Sequence, residues 1–493
     1  MIGRSMLAYI PVNLANLIVS FGTVVILTRL LGADEFGRYA IATVTMHAVH
    51  MAIFTWLEAA MARFQARAER EDNVKHHLKT IYVYAMAIAA GAFSLVIAIT
   101  NALPLEPLMK TLMMFALGTT CVQVLFNLGM EAHKAAHRIR RYSSIFSFHT
   151  LFSFSIGIIL ILTTPLREVA PFIGIITSLL IVLAIDLPFM FKRMRGGQLE
   201  PARGRLYFSY GMPICISLLL AYALNSADVY LIAAMMGEAA TGQYSAGYNL
   251  SNRSVEVLFA WIAMAVTPLA VTAMEKEGEK RSTEIMREYV STLLWLTLPA
   301  ATGIALVSRE FGFILGENVR EQAITVMPLI AFAGVLNGLI SYYAQRAFML
   351  SGKTMMFVWA MIPPVIINIA LNIWLIPIHG LLGAVYATVA SYTFGLLVAI
   401  FVGRQYYPLP LPFKSTAQIA LACAAMAAVV MVLPISPAIH DLVALAIKAV
   451  IGAGVYASVC LAINAANCRD ILKRTWTKIR PGSASLKPAG ENS

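Results

Sequence analysis

The chain has 493 residues, 59% of them apolar and only 13% charged, with a formal charge of +12. A soluble chain of this length carries about 25% charged residues, so the composition argues against a multi-domain soluble enzyme. A disordered or collagen-like chain is excluded as well, because charge is low and the 31 glycines show no period of three.

About 20 apolar residues cross a bilayer as a helix. A window of that length predicts fourteen segments, near 7–28, 39–62, 80–103, 111–130, 143–164, 171–191, 208–236, 244–272, 289–308, 322–345, 355–377, 380–403, 416–434 and 442–464. Helices fit because a lipid-facing backbone must satisfy its own hydrogen bonds; a β-barrel would show short alternating strands. With the N-terminus inside, inner segments hold 29 of the 37 Lys and Arg, outer loops six (Arg29, Arg38, Lys110, Arg167, Arg309, Arg320) and spans two (Arg253, Lys448). Membrane topology thus accounts for the basic balance, and no nucleic-acid partner is required. The first span follows Arg4 without an A-x-A site and reads as a retained signal anchor. Cys121, Cys215, Cys423, Cys460 and Cys468 lie in spans or on the inner side, and no C-x-x-C occurs, so neither a disulfide framework nor a zinc site is expected.

Span 1 has no acidic residue. Its Pro11 marks a hinge or static curvature, and Arg29 at its outer end either lines an exit or snorkels to the interface. Span 2 holds His47 and His50 one turn apart, and Glu58 near its inner end. The histidines read either as sugar-binding or proton-coupling groups, or as neutral rings satisfied by neighbouring helices. His133-x3-His137 lies in an Arg-rich inner loop and reads as solvated basic surface rather than zinc. His149 in span 5 has no evident partner. Asp186 in span 6, like Glu58, sits beside basic loops and is expected to pair there.

A charge at the bilayer centre costs roughly 2.5–3.5 kcal/mol on insertion scales, so spans 7 and 8 hold the leading site candidates. Arg253 lies nine residues past Tyr244, about 13 Å at 1.5 Å per residue. Asp228 lies nine residues before Gly237, at matching depth, and Glu256 is one turn beyond Arg253. Asn225, Asn249 and Asn252 surround this group. One reading is a polar cavity wall in which Arg253 binds a pyrophosphate or an acidic sugar. The other is a structural Asp228–Arg253 pair, and a substrate competing for Arg253 is compatible with both. Asn249-Leu-Ser251 and Asn252-Arg-Ser254 match the glycosylation triplet but lie within a span. Pro213, Pro268 and Pro363-Pro364 are further hinge candidates.

Ser351-Gly-Lys-Thr354 looks like the end of a phosphate-binding loop, but Ala347 stands where that pattern needs glycine, and a membrane helix precedes it. ATP hydrolysis is therefore not expected. Lys448 in span 14 is expected to snorkel. The inner loops and the basic tail (Arg469, Lys473, Arg474, Lys478, Arg480) suit anionic lipid headgroups, and 481–493 reads as a disordered end.

Gly32-Ala-Asp-Glu-Phe-Gly37-Arg-Tyr39 and Gly237-Glu-Ala-Ala-Thr-Gly242-Gln-Tyr244 both read G-x4-G-x-Y, 205 residues apart. They join span 1 to 2 and span 7 to 8. The first glycine suits a left-handed helix end, the second a tight start to the next helix, and the tyrosine an interfacial anchor. Six spans separate the copies, so both halves share one orientation. That implies a pseudo-two-fold axis along the membrane normal and a central cavity; a common hairpin turn without shared ancestry is the alternative. The same offset maps Asn252 onto His47. The expected fold class is an all-α polytopic membrane protein, with about 14 transmembrane helices in two pseudo-symmetric bundles around a central cavity and cytoplasmic termini. Its expected division is 1–207 (spans 1–6), 208–403 (spans 7–12), 404–464 (spans 13–14) and the tail 465–493.

The stretch Leu27-Thr-Arg-Leu-Leu-Gly-Ala-Asp-Glu-Phe-Gly-Arg-Tyr39 resembles the first hairpin of bacterial polysaccharide flippases. These are the O-antigen and exopolysaccharide translocases of the multidrug/oligosaccharidyl-lipid/polysaccharide exporter superfamily. Asp228-Val-Tyr-Leu-Ile-Ala-Ala-Met-Met-Gly237 with Gly242-Gln-Tyr-Ser-Ala-Gly-Tyr248 is similar to the family's span 7–8 hairpin. Phe348-Met-Leu-Ser-Gly-Lys-Thr354 and Gly380-Leu-Leu-Gly-Ala-Val-Tyr386 are similar to its later loops. The likeness runs from about 25 to 403; its motifs are turns and small residues, which identify a family better than a substrate. The resemblance implies two lobes with alternating access and a cargo of oligosaccharide on undecaprenyl pyrophosphate, moved across the bacterial inner membrane for O-antigen or exopolysaccharide assembly. It further implies no enzymatic activity, no cofactor beyond Na+ or H+ coupling, and a polysaccharide polymerase and chain-length machinery as partners. The lipid tail would stay in the bilayer beside spans 13–14. A cation-coupled multidrug exporter of the same superfamily is the alternative. Such exporters often use an acid in span 1, which is absent here, though Asp228 and Glu256 can substitute. A membrane glycan polymerase or ligase fits less well, since the longest outer loop, 309–321, has 13 residues and no Asp-x-Asp occurs.

Overall fold

The computed structural model describes residues 9–102, 104, 106–434 and 439–469. The predicted roles of Lys473, Arg474, Lys478, Arg480 and 481–493, and the start of the first predicted span, lie outside the described residues. The apolar runs form α1 (Ile10–Leu30), α2 in two arms (Ala33–Ile53 and Thr55–Arg70), α3 (Val74–Ala102), α4 (Pro107–Ala135), α5 (Ile139–Thr163), α6 (Ala170–Met194) and α7 (Pro201–Met236). They continue as α8 (Glu238–Lys276), α9 (Glu279–Leu306), α10 (Glu317–Leu350), α11 (Thr354–His379), α12 (Leu381–Gly403), α13 (Phe413–Val432) and α14 (Asp441–Ile463). No strand occurs among the described residues. Each predicted segment lies on one of these helices. Outward surfaces carry exposed Leu162, Trp374, Phe401 and Val450, as lipid contact requires. We call the face on which α1 begins proximal and the opposite face distal.

Two backbone features depart from expectation. Pro11 stands in the first turn of α1, where its missing N–H is not needed, so it is no hinge within the span. The sharp bend, 53°, falls instead between the arms of α2 at Phe54, where there is neither proline nor glycine. Tertiary contacts hold it. The Cys215 thiol on α7 donates to the freed Met51 carbonyl at 2.7 Å, and His50 and Glu58, one on each arm, meet at 2.8 Å.

The packing repeats. In the first half α1 packs on α5, α2 on α4, α3 on α4, α4 on α6, and α5 on α6; in the second, α7 on α11, α8 on α10, α9 on α10, α10 on α12, and α11 on α12. Every number rises by six. The two bundles meet at the repeated motif. A Cβ on Gly37 would lie 1.9 Å from the Glu238 carbonyl oxygen, and one on Gly242 would lie 2.1 Å from that of Ala33. Residues 33 and 238 are themselves 205 apart. The contact is thus reciprocal, as a two-fold axis demands. The rest of the motif is used less evenly. Gly237 has φ +87° but Gly32 has φ −69°, so only one copy needs glycine's backbone freedom. Tyr244 is fully buried rather than anchored at the interface, and Tyr39 packs its ring against Phe172 at 5.5 Å.

Helix α7 is shared. Tyr207 and Cys215 pack with Trp56, Leu57 and Leu78 of the first bundle, whereas Ile232 packs with Tyr244, Ile376 and Leu381 of the second. The expected boundary at 207/208 falls inside this helix. Helices α13 and α14 pack on each other and on α9, outside the twelve-helix body. Lys448 does not snorkel: its Nζ lies 2.5 Å from Glu310, with both side chains largely buried. Removing one partner of a buried pair costs about 3–5 kcal/mol. Lys448→Ala is therefore expected to lower the unfolding temperature clearly, and Lys448→Met with Glu310→Gln to restore most of it; equal melting of Lys448→Ala and wild type would show that the pair adds nothing.

Candidate functional site

On helix α1, Val12 and Ala15 are buried toward the bundle, and Ile10, Leu14 and Ile18, four apart, are exposed. Asn13, Asn16 and Ser20, at helical spacing, form a polar stripe beside Ile10 and Leu14. This stripe lines a cavity of about 710 Å³ whose opposite wall is α8. Arg253 and Glu256 supply its charge, and Leu17, Phe21, Val257, Trp261 and Met264 supply an apolar surface. The cavity lies along the proximal half of α1. Arg253 and Glu256 are 3.3 Å apart, with side chains 49% and 41% exposed, so the pair is weak and its donors are open to a ligand. His47 is exposed, with Nδ1 2.8 Å from the Thr43 carbonyl.

Asp228 stands apart from this cavity. It is 1% exposed and accepts hydrogen bonds from the Tyr244 hydroxyl and, at 3.4 Å, from Thr388 on α12. Its Oδ1 has no partner among the described residues. Next to it Tyr392 donates to Asn225 Oδ1 at 2.5 Å and lies 3.2 Å from the Tyr248 hydroxyl. The second bundle therefore encloses an oxygen-rich polar cluster around one carboxylate. Among the described residues no group of three His, Cys, Asp or Glu could hold a metal ion.

The distal side is closed between bundles. Arg38 bridges Glu168 and Glu238, each at 2.7 Å. Arg29 donates to the Ile314 and Phe313 carbonyls at 3.0 Å, and the Gly316 N–H donates to Thr28 at 3.1 Å.

The family described as Polysaccharide biosynthesis protein matches residues 2–274, more than half of the chain. The chain belongs to this family. Over 225 residues the chain is 23% identical to the probable low-salt glycan biosynthesis flippase Agl15 of Haloferax volcanii. The matched stretch covers 44% of this chain and 46% of that relative, so the chain spans under half the length of the curated relative it matches. Its fold is similar to that of the lipid II flippase MurJ in an inward closed conformation, at TM-score 0.75 and 14% identity over 95% of this chain and 100% of that one. It is also similar to an inward-facing multidrug resistance MATE family transporter of the MOP superfamily, at TM-score 0.64 and 14% identity over 79% of this chain and 97% of that one. These likenesses support the expected fold class of a multi-pass helical membrane protein.

In the structure the sequence candidates separate into several places. Arg253 and Glu256 line the same cavity, and Asn249 lies one turn before Arg253 with its amide on the Ser245 carbonyl at 2.8 Å. The Asp228–Arg253 pair does not form, because Tyr244 and Thr388 take the carboxylate. Asn225 belongs to the Tyr392 cluster, and Asn252 turns to α10, where its Oδ1 would lie 3.1 Å from a Cβ on Gly334. His50 is tied to Glu58, which also accepts from Asn127 at 2.8 Å; Glu58 therefore pairs across the α2 bend and not with a basic loop. Asp186 does pair as expected, with Arg141 at 2.7 Å, and also with His133 at 3.0 Å. His149 finds Ser178 at 2.9 Å. Arg29 borders a distal cleft of about 500 Å³ beside Arg38 and Arg167, so it does line that side while bonding across it. Sequence reasoning missed Asn13, Asn16 and Ser20, although their spacing on an otherwise apolar span was the available signal. It also missed Tyr392 and Thr388, for which there was none.

Proposed function

We propose that the protein is a flippase for undecaprenyl-pyrophosphate-linked oligosaccharide, moving it across the bacterial inner membrane for O-antigen or exopolysaccharide assembly by alternating access. The observation that carries this reading is the amphipathic α1–α8 cavity. Arg253 offers a guanidinium fork suited to a diphosphate, Asn13, Asn16 and Ser20 offer amide and hydroxyl groups suited to sugar, and Trp261 and Met264 continue into an apolar surface suited to a polyprenyl chain. The bundles, taken as lobes 1–207 and 208–403, would rock so that the distal Gly37–Gly242 contact opens and closes, with α13–α14 (within 404–464) as an added apolar flank. Anionic lipids on the proximal face and a polymerase with chain-length machinery as neighbours belong to the same reading, as do cytoplasmic termini. A photo-reactive residue placed at Asn16 or Trp261 should crosslink the lipid-linked oligosaccharide, and one at Phe401, on the outer surface and 72% exposed, should not; crosslinking at Phe401 alone would remove the cavity from the mechanism.

Coupling to Na+ or H+ is assigned to Asp228. A carboxylate with one unpartnered oxygen, buried among hydroxyls, has a use when a cation arrives. Asp228→Asn keeps an acceptor for Tyr244 and removes only the charge. Its transport should lose dependence on the pH or sodium gradient; an unchanged dependence would remove Asp228 from coupling. The multidrug-exporter alternative differs in cargo, and the same carrier would then move an amphipathic cation and no glycolipid.

A further inference from the structure

The proximal end of the first bundle holds a positive charge that nothing among the described residues neutralises. It gathers where the second arm of α2, the α4–α5 turn and the end of α6 meet. Arg141 is paired with Asp186 at 2.7 Å and Arg193 with Glu69 at 2.5 Å. Arg138, the residue just before α5, forms no ion pair among the described residues, and its Nη1 is buried without a hydrogen-bond partner, as is Nη1 of Arg193. Phe189 gives the cluster an aromatic floor, with the guanidinium carbons of Arg141 and Arg138 at 4.1 and 5.2 Å from its ring centroid. Burial pushes the Arg138 pKa down; Arg193 and Arg141 push the same way, and Glu69 opposes them. Three guanidinium groups thus face two carboxylates, with His133 already sharing Asp186.

A half-buried cation without a counter-ion is costly, and buried charges are normally paired. The first turn of α5 adds the positive end of its helix dipole. The geometry points to an anion site at Arg138 and Arg193 that takes a phosphate-type group, the chemistry shared by an acidic phospholipid headgroup and free phosphate. The site lies at the α4–α5 turn, the second arm of α2 and the end of α6, and none of its residues lines the α1–α8 cavity, so it is a second site. Exposed Phe148 on α5 and Ile185 on α6 offer apolar surface on two of the same helices, which suits the lipid source.

The purified full-length protein in neutral detergent would be titrated separately with phosphatidylglycerol, phosphatidylcholine and inorganic phosphate, with retention read by native mass spectrometry and protection by thermal unfolding. Wild type should retain phosphatidylglycerol or phosphate in preference to phosphatidylcholine. Arg138→Gln should weaken that binding at least tenfold, and Arg140→Gln, which removes an exposed charge from the same turn, should not. Competition of phosphate against phosphatidylglycerol would show that both use this site, and retention of phosphatidylglycerol alone would make the ligand a lipid. Arg138→Lys, which keeps the charge but not the fork, should fall between wild type and Arg138→Gln and provides the test should the glutamine variant fail to fold. Equal retention of the three ligands by wild type, or undiminished binding in the Arg138 variants, would overturn the site.

Discussion

Replacing Arg253 by alanine is expected to abolish translocation while leaving a folded, inserted protein. The two consequences separate because Arg253 does little for stability. Its Glu256 partner is 3.3 Å away and both side chains are about half exposed, and exposed pairs are worth about 0–1 kcal/mol. A cargo diphosphate drawn into the cavity would be a different matter. Losing one partner of a desolvated, hydrogen-bonded charge pair costs about 2–5 kcal/mol, roughly 30-fold or more at 1.4 kcal/mol per decade. Arg253→Lys keeps the charge but loses the planar fork, so it should retain part of the rate. Unaltered translocation in Arg253→Ala, with unaltered thermal unfolding, would take Arg253 out of the mechanism.

The second large effect is expected at the distal contact. In Gly37→Ala the new methyl would lie 1.9 Å from the Glu238 carbonyl oxygen and 2.7 Å from its carbon. These are backbone atoms, so no side chain can turn aside and the helices must separate. Overpacking of this kind costs about 1–3 kcal/mol, and it acts only in the state where the contact exists. The distal-closed population should therefore fall by roughly fivefold to 100-fold relative to the open one. A cysteine at Asn318, which borders the distal cleft, should react correspondingly faster with an impermeant maleimide, and translocation should slow. Gly242→Ala meets the Ala33 carbonyl in the two-fold-related way, so the two substitutions should not add, because they strain one contact. Gly91→Ala is the control, since nothing lies within 4 Å of a Cβ there. Labelling in Gly37→Ala equal to that in Gly91→Ala would mean that the contact is no gate.

The membrane helices were legible in the sequence because hydropathy is a local sum. The bundle symmetry was legible through Gly37 and Gly242, since a close backbone crossing tolerates few residue types. What the sequence could not show was direction around a helix axis. Asp228 and Arg253 have matching depth, yet successive helical positions turn by about 100°, and Asp228 points to Tyr244 and Thr388 inside the second bundle. Asn252 and Arg253 are neighbours in sequence and diverge for the same reason, one toward Gly334 and one into the cavity. The α2 bend had no local signature because its cause is tertiary: a thiol from α7 and a His50–Glu58 link across the break. Lys448 was read as a lone charge seeking water, but Glu310, 138 residues away, supplies its partner. The Asn13–Asn16–Ser20 stripe was present in the sequence but outranked by charged residues, although amides and hydroxyls are what a sugar needs.

The most direct measurement reconstitutes the purified protein in liposomes with fluorescent undecaprenyl-pyrophosphate oligosaccharide and follows exposure of the headgroup to an impermeant quencher. Wild type should move the glycolipid across the bilayer, Arg253→Ala should not, and an undecaprenyl lipid without the diphosphate should stay in place. Equal movement by wild type and Arg253→Ala, or export of a cationic dye without any movement of the glycolipid, would contradict a diphosphate-gripping flippase.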